Sequence, residues 1–234
     1  MKKAKLLSFK YILFDFIRIT AIPSFLWFRP KCLYLNDKAK KKIRGGALLI
    51  SNHVGFYDPL YLMIILWYRR HHFIATTELF HSKLKRFIFT KIFKCIEIDR
   101  TNFSIATFRN IVDHLKNGEL VSMFPEGHVN LEAEGIKAFK SGMVMMALKS
   151  GVPIIPVYLQ RKKHIYSRLV LGVGEPIHID DFKTGEKFSL EDINKASLYL
   201  YEQEKKLEEL VEGAKQWRQI QMKFLENSWM KKTF

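Results

Sequence analysis

Residues 104–124 read SIATFRNIVDHLKNGELVSMF. Ile105, Phe108, Ile111, Val112 and Leu115 recur at steps of three and four, the spacing of the buried stripe of an amphipathic helix. Gly118 stands where such a helix stops, and Leu120 to Phe124 is an apolar run of strand length. The same alternation extends to both sides. Upstream, Ala47 to Ile50, Phe73 to Thr77 and Cys95 to Ile98 read as strands, with helices over Pro59 to Arg70 and Lys83 to Phe93 between them. Downstream, a helix over Gly142 to Lys149 precedes an apolar segment, Val152 to Val157, and a further strand over Arg168 to Gly174. Strand and helix in turn predict an α/β fold, a central mixed sheet flanked by helices.

Two stretches flank that core. Residues 1–34 carry Leu6, Phe9, Leu13, Phe16 and Ile17 at roughly helical spacing, then Pro23 and the aromatic segment Phe25 to Phe28. Lys10, Asp15 and Arg18 interrupt the apolar run, so neither a signal peptide nor a membrane span is expected. Basic residues alternating with bulky aromatics suit an interfacial helical anchor lying in one leaflet, although a helix packed on the core has the same pattern. Residues 186–234 open with Ser189 and Asp192 in a capping-box arrangement. Leu207, Leu210, Val211, Ala214, Trp217, Ile220 and Phe224 then form one stripe, with Gly213 as a candidate break. This is a C-terminal helix packed on the domain or extending from it. Residues 35–185 are left as the α/β domain.

The composition limits the partners. Thirty-nine Lys and Arg against 23 Asp and Glu give a formal charge of +16. Such an excess calls for an anionic partner: nucleic acid, an anionic membrane surface or an acidic protein. Nineteen phenylalanines lie partly among the lysines, a signature of a membrane surface as much as of nucleic acid; the expected partner is an anionic membrane, on its cytoplasmic face, and not nucleic acid. The basic run Lys38 to Arg44 fits lipid head groups and also fits a solvated turn. Cys32 and Cys95 offer neither a disulfide framework nor ligand spacing, which fits a reducing compartment. The pair His71-His72 has no third ligand at a zinc-type spacing, so no metal is expected. Arg69 to His72 read as the basic end of the preceding helix.

The chemistry points to residues 51–58, Ser-Asn-His-Val-Gly-Phe-Tyr-Asp, which follow a strand and lead into a helix. His53 can take a proton from a hydroxyl, and Asp58 can fix its tautomer and stabilise the imidazolium that forms. Asp58-Pro59 is also the pattern of a helix start, aspartate as N-cap and proline at N1. The readings are compatible if one carboxylate oxygen caps while the other holds His53. No serine or cysteine stands at a recognisable nucleophile elbow. Direct attack by a substrate hydroxyl on an activated acyl group is therefore the expected reaction.

Asn52-His53 with Asp58, followed by Phe124-Pro125-Glu126-Gly127, resembles the NHx4D and FPEGTRS motifs of the glycerolipid acyltransferases, in particular the PlsC-type 1-acylglycerol-3-phosphate acyltransferases. The resemblance spans roughly residues 48–160 and implies transfer of a fatty acyl group from acyl-CoA or acyl carrier protein to a lysophospholipid, without metal or bound cofactor. It implies His53 and Asp58 as the catalytic pair. It also implies Arg100, at the end of a strand resembling the second half of a GxxFxxR motif, as a phosphate ligand; guanidinium is a bidentate fork for phosphate. Glu126 and Gly127 carry over as acceptor-site residues, Glu126 ordering the site by hydrogen bonds. The family's Thr-Arg-Ser is replaced by His128-Val129-Asn130. The arginine is lost, and His128, Lys137 and Lys140 are the candidates to compensate. Phe139-Lys140-Ser141-Gly142 continues the family pattern before a helix, and Val152 to Val157 resembles its fourth block, read as a strand start or bulge because of Pro153 and Pro156. His53, Arg100 and Glu126 each follow an expected strand, so one sheet edge is expected to gather them. Two alternatives stay open: the same chemistry on another lysophospholipid or an aminolipid, and a non-catalytic lipid- or nucleic-acid-binding protein.

Overall fold

The computed structural model describes residues 12–20, 23, 29–99, 101, 103–127, 129, 136, 139, 141–161 and 167–230; the side chains of Leu13, Ile17, Arg18 and residues 215–230 lie outside the description. Seven strands form one sheet: β1 (Lys31–Tyr34), β2 (Ala47–Ser51), β3 (His71–Thr76), β4 (Ile96–Ile98), β5 (Leu120–Met123), β6 (Ile154–Leu159) and β7 (Val170–Val173). Their order is β1-β7-β6-β2-β5-β3-β4. Every pairing is parallel except β6 with β7. The helices are α1 (Ile12–Thr20), α2 (Asp58–Ile65), α3 (Lys83–Phe87, continued by a wider π turn over Ile88–Ile92), α4 (Ile105–Lys116), α5 (Gly142–Ser150) and α6 (Leu190–Met230). This is the expected α/β architecture of a mixed sheet with helices on it.

Strand β2 lies in the middle, and all five of its residues are buried. Ala47 and Leu49 enter one core with Phe14, Leu62, Phe73 and Leu171, whereas Leu48 and Ile50 enter the other with Ile111, Leu115, Val121 and Met143. Alternate side chains of a strand face opposite ways. A strand covered on both sides is therefore apolar at successive positions, as the run Ala47 to Ile50 is. The chain reaches β2 through Gly46, where a Cβ would stand 2.0 Å from the carbonyl oxygen of Leu115. Arg69 fastens this junction by donating to the carbonyls of Ile43, Gly45 and Gly118.

Several local expectations need correction. The helix after Asp58 ends at Ile65, and His71 and His72 belong to β3 rather than to a basic helix end. Ile105 is 71% exposed; it opens α4 before the stripe of Ile111, Val112 and Leu115 reaches the core. β6 is a central strand despite Pro156. Between the bridge Ile154–Ile177 and the pair Val157–Val173, three steps along β6 face four on the other chain. Pro156 sits in this irregularity, and its ring fills the space that a Cβ on Gly174 would take, 2.6 Å from Cγ. The missing N–H thus costs no regular ladder bond. α6 runs through Gly213 without a break to Met230. Its start is the expected capping box: Ser189 N–H donates to Asp192 Oδ2 at 2.9 Å and Asp192 N–H to Ser189 Oγ at 3.1 Å.

At the other end, α1 packs Phe14 and Asp15 inward, and Asp15 accepts a two-pronged pair from Arg70 at 2.9 and 2.6 Å. Residues 31–34, grouped by sequence with the N-terminal segment, form the edge strand β1 beside β7. Pro23 is exposed, while the aromatic segment Phe25 to Phe28 lies outside the described residues. Among the described residues no helix is long and apolar enough to cross a membrane.

Candidate active site

β2 and β5 are parallel neighbours, so the residues that follow them leave the sheet at the same edge. His53 follows β2, and Phe124 to Gly127 follow β5. The turn over Phe124 to Gly127 is closed by Gly127 N–H donating to Phe124 C=O at 3.0 Å, with proline second and Gly127 at φ +75°. Only glycine takes that conformation without strain.

Asp58 is 1% exposed, and its Oδ2 is the hub of the loop. It lies 2.8 Å from His53 Nδ1, and accepts N–H groups from Val54 at 2.7 Å and Gly55 at 2.8 Å. The cap of α2 is Tyr57, with no side-chain capping bond, and Pro59 lies in its first turn. The expected division of labour between the two oxygens is thus corrected. One oxygen takes three donors, all from the preceding loop, because the carboxylate turns back instead of forward. A carboxylate only accepts, so Nδ1 carries the proton and Nε2 of the ring keeps its lone pair. The ring is held on its flat side by Phe124, with centroids 4.0 Å apart and planes at 15°. The His53 side chain is 16% exposed, enough for a substrate atom to reach it.

Two further side chains brace this loop. Asn52, 2% exposed, continues the β2–β6 pairing with its amide: Nδ2 donates to Leu159 C=O at 3.0 Å, and Oδ1 accepts Leu159 N–H at 2.7 Å. Glu126, also buried, accepts the His53 backbone N–H at 3.4 Å through Oε1. Behind it lies Glu204 of α6, fully buried. Burial, and secondarily the charge of Glu126, hold its carboxyl well above the ordinary carboxylate range. Burial thus favours the protonated form of Glu204, which backs an acidic motif. Neither cysteine supplies a nucleophile. Burial pushes the Cys95 thiol up to about 12 and raises Cys32 as well.

The structure brings His53, Asp58, Glu126 and Gly127 together. Arg100, His128, Lys137 and Lys140 lie outside the described residues. Sequence reading missed Phe124 as the ring support, Asn52 as the sheet extension, and Glu204. For Glu204 a signal existed: Leu200, Glu204, Leu207 and Val211 share one helical stripe, which puts a carboxylate among core residues.

A parallel-sheet edge bearing an oriented imidazole defines the class of the chain, an α/β enzyme. A further step gives its family. The Acyltransferase family model matches residues 33–160, more than half of the chain, and the chain belongs to that family of O-acyltransferases. A 1-acyl-sn-glycerol-3-phosphate acyltransferase of Bacillus subtilis is 28% identical over 143 residues, 59% of this chain and 70% of that one. One from Borreliella burgdorferi is 26% identical over 145 residues, 58% of this chain and 55% of that one. The crystal structure of the 1-acyl-sn-glycerophosphate acyltransferase PlsC from Thermotoga maritima shares the fold, with a TM-score of 0.58 at 22% identity, covering 86% of this chain and 80% of that one.

Proposed function

We propose that the chain moves a fatty acyl group from an acyl thioester to the free hydroxyl of 1-acylglycerol-3-phosphate, making phosphatidic acid, with His53 as general base. The carrying observation is the 2.8 Å contact of His53 Nδ1 with Asp58 Oδ2, which leaves Nε2 for the substrate. The hydroxyl lies against Nε2. As its oxygen attacks the thioester carbonyl, the proton passes to the ring, and Asp58 stabilises the imidazolium. The tetrahedral intermediate collapses, the C–S bond breaks, and the proton leaves with the thiol. Each hydrogen-bond donor to the oxyanion contributes about 3 kcal/mol to this step. Neither cysteine offers a covalent relay, and acyl-CoA and acyl carrier protein are both admissible donors. The acceptor phosphate is assigned to Arg100 and to His128, Lys137 and Lys140.

The acceptor is the one in the names of the Bacillus and Borreliella relatives. Another lysophospholipid or an aminolipid as acceptor is favoured by one observation, the replacement of Thr-Arg-Ser by His128-Val129-Asn130. A panel of lyso-acceptors with product masses read for each separates the two. The purified enzyme is expected to turn over lysophosphatidate with acyl-CoA or acyl carrier protein, and His53→Ala to lose about 10²–10⁴ in kcat, the range of general-base catalysis. Turnover retained in that variant removes His53 from the mechanism.

Membrane association is proposed as peripheral, on the cytoplasmic face. Exposed apolar side chains follow the carboxyl ends of three parallel strands: Phe56 and Tyr57 after β2, Leu84 after β3, and Phe103 and Ile105 after β4. In chain order they follow strand ends at the edge that carries His53, where a lipid substrate must enter. On α1, Ile12, Phe16 and Ile19 also face outward, which supports the segment before β1 as the anchor, beside a catalytic domain that takes in β1 and the helix of 186–234.

A further inference from the structure

His71 and His72 are adjacent in β3 and so point to opposite faces of the sheet, which rules them out as a chelating pair. His71 Nδ1 meets Ser122 Oγ at 2.9 Å. His72 instead meets two residues distant in sequence, His114 in the last turn of α4 and Glu119 just before β5. One ligand atom from each of the three lies within 4.8 Å of the others. The cluster sits at the amino ends of β3 and β5, the edge opposite His53.

The hydrogen-bond arithmetic of His72 is informative. Its Nδ1 stands 3.1 Å from the carbonyl oxygen of Lys94, a residue held at φ +53°. A carbonyl only accepts, so Nδ1 carries the proton, and in a neutral ring Nε2 then bears a lone pair. That nitrogen points at Glu119 Oε2 at 3.3 Å. His114 Nδ1 reaches the same oxygen, and the two rings are 4.7 Å apart. A lone pair facing a carboxylate at that distance repels it unless positive charge stands between them. A backbone carbonyl on the far ring nitrogen is the usual companion of a metal-binding histidine, since it fixes the tautomer.

We propose that His72, His114 and Glu119 form a binding site for a zinc-type divalent cation. Two imidazoles and one carboxylate are a borderline donor set suited to zinc, with the fourth position left to water. Zinc bonds of about 2.0–2.1 Å in a tetrahedron put neighbouring ligand atoms about 3.3 Å apart. His72 and Glu119 already have that spacing. His114 must draw back from Glu119, which its partial exposure, 28% of the side chain, allows. The ion ties β3, α4 and the entry to β5 together, and its position assigns it to the scaffold rather than to acyl transfer.

The test uses the full chain, stripped of metal and titrated at pH 7.5 with cobalt and then zinc. The site gives visible d–d bands with a one-to-one endpoint, bleached by zinc. Zinc at a hundredfold excess over its Kd raises Tm by about 5–10 °C. His114→Ala and the pair His114→Ala/Glu119→Gln lose the bands and the shift while keeping the far-UV spectrum of the parent, and His53→Ala keeps both. If the parent shows no bands, a proton on His72 answers the repulsion and the proposal is overturned. The same bands and shift in folded variants overturn it as well, because the ion then binds elsewhere.

Discussion

At the residue scale the site depends on a single oxygen. Asp58 Oδ2 takes the His53 ring nitrogen and two backbone N–H groups, and all three partners donate. Asp58→Asn conserves the shape and can still present a carbonyl to those donors, so the loop keeps its course. The negative charge beneath the developing imidazolium is lost. A drop of about 10³–10⁴ in kcat, with KM nearly unchanged, is expected from the corresponding loss in a hydrolase triad. Steady-state kinetics beside a thermal melt measures it; a large rise in KM with kcat preserved assigns Asp58 to binding instead. The pair was legible in sequence because its members are five residues apart in one loop, where local geometry decides the contact. Phe124 was quoted as part of a motif, but its role was not legible. Ring stacking joins the ends of β2 and β5, and only the parallel register brings those ends together.

At the scale of elements, the legible features are those written in periodicity, and the illegible ones are those set by neighbours. The strand in Ala47 to Ile50 announces itself by being apolar throughout. Pro156 argued against a regular central strand, and only Gly174 across from it explains the exception. Gly46 is the matching case at the entry to β2. A methyl at that position meets the Leu115 carbonyl, which α4 holds in place and which cannot yield as a side chain would. Gly46→Ala is expected to cost about 1–3 kcal/mol or more, read as a lower urea midpoint at an unchanged m-value. Glu204 makes α6 part of the site's support and gives that support a pH dependence. Its carboxyl holds its proton more tightly folded than unfolded, so the folded state binds more protons between the two pKa values. Stability from this group is complete below the unfolded value, near 4.3, and is lost as pH rises toward the folded value. Glu126 and Glu208 face it with like charge and act in the same direction, while the Asn52 N–H opposes them. Glu204→Gln removes the titrating proton. The wild-type chain is expected to lose up to about 1.4 kcal/mol per pH unit relative to that variant above pH 4.3. Parallel stability curves from urea melts across pH 5–8 contradict a neutral Glu204.

For the whole molecule, net charge and exposed apolar groups must be weighed against each other as sources of membrane affinity. The charge of +16 acts over about a Debye length and is screened by salt, with each basic residue near an anionic surface worth about 1 kcal/mol. Some of those residues already have other work: Arg69 and Arg70 are bound inside the fold, and Arg86 pairs with Glu97. The apolar contribution is insensitive to salt. Ile12, Phe16 and Ile19 lie at steps of four and three on the outer side of α1, opposite the buried Phe14. Burying such side chains fully is worth about 1.5–3 kcal/mol each, and partial immersion in a leaflet less. Binding to anionic vesicles is therefore expected to fall steeply between 50 and 500 mM salt and then level off at a residual affinity. Replacing Ile12, Phe16 and Ile19 by serine is expected to abolish that residue of binding at high salt while leaving the salt-dependent part in place. The Asp15–Arg70 pair is retained in this variant to keep α1 docked, and a thermal melt is recorded alongside. A triple variant that binds as the parent does at every salt concentration removes α1 from the membrane contact and leaves the apolar rim around His53 to supply it.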